Sequence, residues 1–580
     1  MSKQRLRPSQ IITTFGPGSI VDLPDDSVMI AGIEHWFSEG PKPHRKISEP
    51  RLQAVLKVNE GFRTPPVGSF NQNDVPFVRF PRWRVCPKCS RLSTQFPEDK
   101  KTPELAPRCF SCKVPTYPAR IVVACAKGHI DDFPWYWWLH RGNNCGGSNL
   151  SLKGEGRSAA LGDLRVECSC GVPPRSLSGA LGKEAMARLA CQGKRPWLDD
   201  KNEDCTEPLY ALQRGASNVY FSVVRSALSI PPWTNQLLLE VNRWWYGEFL
   251  PEYRPKESDW PIYIIPKFGP HKVEKVTECL KKILSLTSET RSIRKEEYDA
   301  LTHADEINEE EYFHTVRRDI SQTVSTYLSD VVAIPRLREV RALLGFTRIE
   351  APEMDPMMEV FNEEQGPAVT TAPISAKQPP DWLPAVENLG EGIFVRPNSQ
   401  RLLDWENREA VKRRAGNLLD AYSLWRQKRG LQALKGQRPR LILLHTLAHL
   451  LMRQMSLDCG YSSASLRERI YSDENMAGLL IYTSTPDSDG SLGGLVRQTK
   501  PPENFEDVLM SSVDLARICS SDPLCREHDP RRTERLNGAA CHTCAMVSET
   551  SCEFGNRLLD RGMVVNLPNE KPTGYFNYND

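Results

Sequence analysis

The sequence predicts a multidomain α+β protein in which zinc-ribbon-like modules, a helical middle region and a C-terminal α/β zinc-binding domain follow one another. Three observations carry this. The chain has 580 residues, several times the usual size of one folding unit. Its 17 cysteines fall in clusters. The hydrophobic pattern also changes along the chain, from short β-type runs to helical spacing. Hydrophobic residues at 39% and charged residues at 26% are ordinary for a globular protein. With 75 basic against 73 acidic side chains, net charge identifies no partner. Only local patches, Lys3, Arg5 and Arg7 or Arg79, Arg82 and Arg84, offer a nucleic-acid surface, and simple solvation accounts for them as well.

Residues 1–80 are rich in Gly, Pro, Val, Ile and Phe and read as short strands and turns. The first residues have basic character but no uninterrupted apolar stretch and no small-residue cleavage site, so a cytoplasmic protein is expected. The longest apolar run, Leu441 to Met452, is too short to span a bilayer and carries His445 and His449, as expected of a buried helix. In a reducing compartment thiols stay free, and clustered ones are expected to be metal ligands.

Two or three structural Zn2+ sites are predicted. In residues 81–120, Cys86-x2-Cys89, nineteen intervening residues and Cys109-x2-Cys112 predict a zinc ribbon. Each knuckle presents two thiolates from a tight turn, and the two together complete a tetrahedron with no position open for catalysis. In residues 121–210 a looser group predicts a second site on Cys168, Cys170, Cys191 and Cys205, with Cys145 nearby. Cys125 and His129 are two ligands only; a strand-end thiol and a turn histidine are the expected roles. The third group is near the C-terminus. Cys541-x2-Cys544, seven residues and Cys552, with Cys525 or Cys519 upstream, supply four thiolates and a spare; His528 or His542 could replace one. The expected set is Cys525, Cys541, Cys544 and Cys552, ringed by Arg526, Arg531, Arg532, Arg535, Arg557 and Arg561, which could face phosphate or an acidic protein.

Residues 211–350 are expected to be mostly helical, from apolar spacings of three and four, and 351–388 to be a Pro-rich linker. The C-terminal unit, 389–580, opens with a basic helix and the apolar helix bearing His445 and His449. A zinc protease needs a glutamate directly after the first histidine; here it is Thr446, so core histidines are expected. A buried strand and a Gly-Gly turn follow.

The phosphate-cradling G-x4-G-K-[ST] loop is missing, as are the G-x-S-x-G elbow, the H-x-K-x4-D nuclease pattern and the deaminase H-x-E with P-C-x-x-C. The chain therefore reads as a scaffold with no catalytic residues. Two rivals to this scaffold reading are a stand-alone zinc-dependent DNA-binding regulator and a metal-dependent hydrolase using His129, Asp131 and Asp132. The first lacks a convincing recognition helix, and the second is opposed by closed four-thiolate sites.

The stretches RPSQIITTFGPGSIVDLP, CAKGHIDDFPW, LQRGASNVYFSVVRSALSIP, LLHTLAHLL and AACHTCAMVSETSCEFGNRLLDR together resemble the DrmB family of bacterial DISARM anti-phage systems, from end to end of the chain. The C-terminal part is similar to the zinc-binding domain that follows the motor in MrfA-type DNA-repair helicases, which makes it a helicase-associated unit. The resemblance implies zinc held by four of Cys519, Cys525, Cys541, Cys544 and Cys552. It also implies a non-catalytic partner of DrmA, a superfamily-2 helicase, that engages foreign DNA through the complex beside a methyltransferase and a phospholipase-D-like protein.

Overall fold

The computed structural model describes residues 6–24, 26–36, 45–66, 75–98, 106–143, 145, 149–154, 160–247, 255–286, 292–304, 311–352, 371–429, 431, 436–483, 493–500, 504–532 and 535–576. Lys3, Arg5, residues 353–370 of the expected linker and residues 486–492 of the expected Gly-Gly turn lie outside the described residues, while the two glycines, Gly493 and Gly494, open the short helix Gly494–Arg497. The fold is mixed α and β, as the sequence predicts.

A central sheet is organised by the 20-residue strand Leu328–Thr347. One edge of this strand pairs along most of its length with Leu383–Pro397. The other edge serves two partners in turn: Phe313–Arg318 up to Leu337, then Phe221–Leu228 from Glu339 onward. The handover falls at Arg338, between these two sets of pairs. Just before it comes Pro335, which has no N–H to give the ladder. There the register slips between Ile334 and Leu337, a bulge that bends the strand. Beyond Leu383–Pro397 lie Ala477–Thr483 and then Leu466–Ser472, all antiparallel.

Both faces of this sheet are buried, and side-chain alternation assigns them. Val331, Ile393, Val395, Ile470, Leu479 and Ile481 point into one core with the C-terminal helices Ser399–Asn407, Glu409–Gln427, Pro439–Cys459 and Phe505–Leu515. Their neighbours Val332, Phe394, Tyr471, Leu480 and Tyr482 point into the opposite core, under the helices Gln236–Gly247, Trp260–Phe268 and Val273–Ser285. The far end of the sheet, Val340 to Phe346 and Leu383 to Val386, closes a third core with the N-terminal strands.

This arrangement revises the expected segmentation. In residues 211–350 the long helices lie only between Gln236 and Thr302, and both ends of the segment are strands. Strands buried on both faces are apolar at successive positions and lose the polar alternation that marks a half-exposed strand. The expected boundary at 388/389 falls inside the strand Leu383–Pro397. The expected boundary at 120/121 is crossed by a six-stranded sheet in the order Arg175–Ser176, Leu164–Cys168, Leu150–Gly154, Arg91–Ser93, Arg84–Val85, Tyr117–Pro118. The ribbon and the second cysteine-rich module thus share backbone pairing.

The helix Pro439–Cys459 starts with proline at its first turn and ends on Gly460 in the left-handed conformation (φ 70°), the usual start and stop chemistry. From Arg440 to Met452 it is buried on every side between the sheet, Phe505–Leu515 and Arg561–Val564, which explains an apolar run without a polar face, and its last turns emerge at the surface. Among the described residues no helix is long and apolar enough to cross a membrane.

Candidate metal centres

Tetrahedral zinc with bonds of about 2.0–2.3 Å sets its donors roughly 3.3–3.8 Å apart. Several side-chain groups meet that spacing. Cys86, Cys89, Cys109 and Cys112 converge with all four Sγ atoms within 4.8 Å of one another, and Cys89 and Cys109 are 3.8 Å apart. The local reason is the knuckle: the Cys89 N–H donates to Cys86 Sγ and the Cys112 N–H to Cys109 Sγ, each at 3.5 Å, which folds each pair inward and favours thiolate.

The expected set Cys168, Cys170, Cys191 and Cys205 is divided in two by the structure. Cys191 and Cys205 meet Cys125 and His129, while Cys168 and Cys170 meet Cys145 and His140. Topology forces the division. Cys168 ends a strand of the six-stranded sheet, whereas Cys125 follows Ile121–Ala124 in a separate three-stranded sheet with Ile130–Asp132 and Tyr210–Gln213. In the first group His129 turns Nδ1 toward Cys125 (3.4 Å) and Cys191 (3.6 Å), and its Nε2 lies 3.0 Å from Glu203, a carboxylate that orients the ring. Hydrogen bonding to Cys191 and then to His129 draws the Cys125 thiol down to about 4, while His129 is raised by its bond to Cys125. In the second group His140 Nδ1 bonds the Tyr136 carbonyl at 2.9 Å, leaving Nε2 at 3.3 Å from Cys170, and Cys145 is 3.5 Å from Cys168. His140 had no motif to announce it; its one signal is its place at the end of an aromatic helix, five residues before Cys145.

Gly193 closes the Cys191 knuckle in the left-handed region (φ 63°), and a Cβ there would fall 1.7 Å from the Glu203 carbonyl oxygen. An L-residue pays about 1–2 kcal/mol for that conformation before any overlap. Gly193→Ala is therefore expected to displace Glu203 and Cys205 and to empty this centre alone, seen as a fall in bound zinc with the other centres retained.

The expected C-terminal set is also corrected. Cys519, Cys525, Cys541 and Cys544 form the four-thiol group, with Sγ separations of 3.6 Å (Cys519–Cys541), 3.7 Å (Cys525–Cys544) and 3.8 Å (Cys541–Cys544). These fit zinc–thiolate geometry closely. Cys552 lies elsewhere, beside His445, His449 and Glu468. His528 is within bonding distance of the Arg535 carbonyl (3.1 Å) through Nε2, and His542 is exposed; neither joins the group. Hydrogen bonding to Cys525 brings the Cys544 thiol down to about 5, and the Arg561 cation assists.

The arginines sort differently from expectation. Arg561 is fully buried and donates to the Ala516 carbonyl (2.7 Å), Asp522 (3.0 Å) and Cys525 Sγ (3.8 Å), so it braces the four-thiol group and cannot face phosphate. Arg531 and Arg532 are exposed beside Asp529. Arg557 and Arg429 both stack on Trp425, at 4.5 and 4.2 Å from the ring centre. In the N-terminal patch Arg79 and Arg84 both pair with the buried Asp26, so neither solvation nor phosphate contact describes them. A cleft of about 500 Å³ is lined by Arg225, Arg294, Arg341, Arg467, Arg469 and Arg557 together with Glu339, Glu468, Glu553 and Cys552. Burial, with Arg341 close by, lowers Arg467 to about 10.

Asp131 and Asp132, named for a hydrolase, are occupied. Asp131 pairs with Lys194 at 2.7 Å, and Asp132 accepts from the Trp83 N–H at 3.2 Å and from Arg82 at 3.4 Å. Neither belongs to the group around His129.

Residues 7–221, which carry three of these groups, match the family described as Domain of unknown function (DUF8724). Residues 447–545, which hold the four-thiol group, match the MrfA Zn-binding domain. Over 583 residues the chain is 34% identical to the DISARM protein DrmB of Bacillus paralicheniformis, with 96% of this chain and 99% of that protein covered. Identity at that level, sustained over nearly the full length of both chains and joined to a zinc-binding domain with its four thiols in place, means that the chain belongs to the DISARM DrmB family.

Proposed function

We propose that this chain is a non-catalytic, cytoplasmic subunit of an anti-phage defence complex, which docks on a superfamily-2 helicase of the DrmA type and helps to engage or gate foreign DNA. The observation that carries the proposal is the near-full-length match to DrmB. The match of residues 447–545 to the MrfA Zn-binding domain supports helicase docking by this unit. In this reading Zn2+ occupies the Cys86, Cys89, Cys109 and Cys112 group, the Cys125, His129, Cys191 and Cys205 group, the His140, Cys145, Cys168 and Cys170 group, and the Cys519, Cys525, Cys541 and Cys544 group. Each is a closed four-donor set, which rigidifies loops and leaves no position for a reacting water.

DNA contact is assigned to the exposed Arg429, which also pairs with Glu350 at 3.5 Å, and to the half-buried Arg557. The Arg429–Trp425–Arg557 stack presents guanidinium planes beside an indole, a combination suited to backbone and base stacking without sequence readout. Affinity of the pair for DNA then falls linearly with log salt, by about 0.9 per phosphate contact, and Arg557→Ala reduces that slope by about one contact. A slope indifferent to salt would refute the phosphate-contact reading.

The deciding experiment is co-purification of the chain with a DrmA-type helicase, followed by DNA-stimulated ATP hydrolysis by each protein and by the pair. Stimulation that needs both supports the proposal. Absence of a complex, or sequence-specific binding by this chain alone, overturns it.

A further inference from the structure

His445, His449, Glu468 and Cys552 come from three separate elements: the helix Pro439–Cys459, the strand Leu466–Ser472 and the loop after Cys544. The i, i+4 spacing puts both imidazoles on one face of the helix, with ring centres 4.5 Å apart. His445 Nε2 lies 3.2 Å from Cys552 Sγ and 3.1 Å from Glu468 Oε1, and His449 Nε2 lies 3.4 Å from Glu468 Oε2. The side chains of both histidines and the glutamate are 0% exposed.

From this geometry we infer that these four residues form a further metal centre, a two-imidazole, carboxylate and thiolate site for Zn2+ or a similar borderline divalent ion. A salt-bridge core does not explain the site. His449 Nε2 and Glu468 Oε2 face each other, yet neither has a hydrogen-bond partner, and a buried carboxylate oxygen left so is costly. A cation between the four donors satisfies both. The surrounding groups are set for it as well. His449 Nδ1 lies 2.8 Å from the Ala545 carbonyl and donates its proton there, which leaves the Nε2 lone pair pointing at the other donors. The Phe554 and Asn556 N–H groups donate to Cys552 Sγ at 3.4 and 3.1 Å, as they would to a thiolate. The Glu553 N–H donates to Glu468 Oε1 at 3.0 Å. Mixed N, O and S donors at these spacings suit zinc, and its cobalt and iron(II) analogues, over hard ions such as magnesium.

The centre staples the buried helix to the sheet and to the loop that leaves the four-thiol group. Ala545, which orients His449, directly follows Cys544, so the two centres share a segment and differ in donors.

The test is zinc-edge anomalous scattering from crystals of the wild-type full chain, with metal content measured for His449→Gln and Cys552→Ser. A peak among the four donors, with about one metal equivalent lost in each variant, supports the inference. Anomalous density at the four-thiol group with none among these four residues overturns it, whether or not the variants fold.

Discussion

Replacing Cys541 and Cys544 together by serine is expected to strip the metal from the C-terminal four-thiol centre and to unfold the segment it holds, from about residue 516 to residue 561. Each of these thiols faces another across 3.6–3.8 Å, so two serines leave Cys519 and Cys525 without a metal to share. Among the described residues that segment has little regular structure, a single 3-10 turn at Glu549–Ser551 before the short helix at Arg561. Little backbone pairing would replace the lost bonds. Structural zinc in comparable small modules is worth roughly 10–16 kcal/mol of apparent binding energy, as much as the entire stability of a typical domain. The buried Arg561 cation would lose a thiolate partner at the same time. The measurement is zinc content together with limited proteolysis. Cleavage should appear between 516 and 561 while the N-terminal centres keep their metal. A double variant that retains full metal content and protease resistance would show that the thiols are not ligands. Chelation of the wild-type protein should reproduce the same cleavage, more slowly where the centre is more deeply buried.

The second large effect is expected at Glu297, in the helix Ile293–Thr302. Its side chain is wholly buried and fully used. Oε2 accepts from Arg469 Nε at 2.7 Å and from the Tyr471 hydroxyl at 3.3 Å; Oε1 accepts from Arg469 Nη2 at 3.0 Å and from the Leu228 N–H at 2.8 Å. One carboxylate thus ties a helix of the middle region to the last residue of Phe221–Leu228 and to the edge strand Leu466–Ser472. Glu297→Ala leaves the Arg469 guanidinium, 3% exposed, without its one hydrogen-bonded carboxylate, with Glu553 and Glu339 acting on it only through space, and such a loss costs up to about 3–5 kcal/mol. Glu297→Gln keeps the shape and part of the hydrogen bonding and should cost less. Urea denaturation followed by tryptophan fluorescence reads both, through Trp244, Trp245 and Trp260 in the adjoining core. A midpoint for the alanine variant equal to that of the wild type would mean that Arg469 is compensated from elsewhere. Its remaining hydrogen bonds, to Ser226 Oγ and the Ser226 carbonyl, are to neutral groups, so Glu553 and Glu339 are the groups that would do so.

What was legible in the chain was local. The C-x2-C pairs announce themselves because two thiols three residues apart in a tight turn must face the same point, and nothing distant is needed to see it. The helices from Gln236 to Thr302 were legible for the same reason, since a 3.6-residue period is written in neighbouring positions. The strand Leu328–Thr347 was not. Both its faces are buried, so its apolar residues run together and the 2-residue period disappears. Partnership among distant donors was equally hidden. Spacing alone grouped Cys168 and Cys170 with Cys191 and Cys205, but strand pairing sets them in different sheets, each with its own histidine. Cys552 looked like the fourth thiol of the group eight residues upstream, yet it bonds across 107 residues to His445.

The sequence by itself determined the class of molecule: a multidomain α+β chain of cysteine knuckles without a nucleotide loop or a catalytic motif, and enough distinctive stretches to resemble DrmB. Tertiary structure decided which donors meet, which arginines brace the interior and which face outward, and where one unit yields to the next. The physical reason is range. Knuckles, caps and helical faces are set by residues within a few positions of each other, whereas a metal centre or a buried ion pair is closed by long-range packing. The same central sheet that joins three cores brings His445, Glu468 and Cys552 to one point.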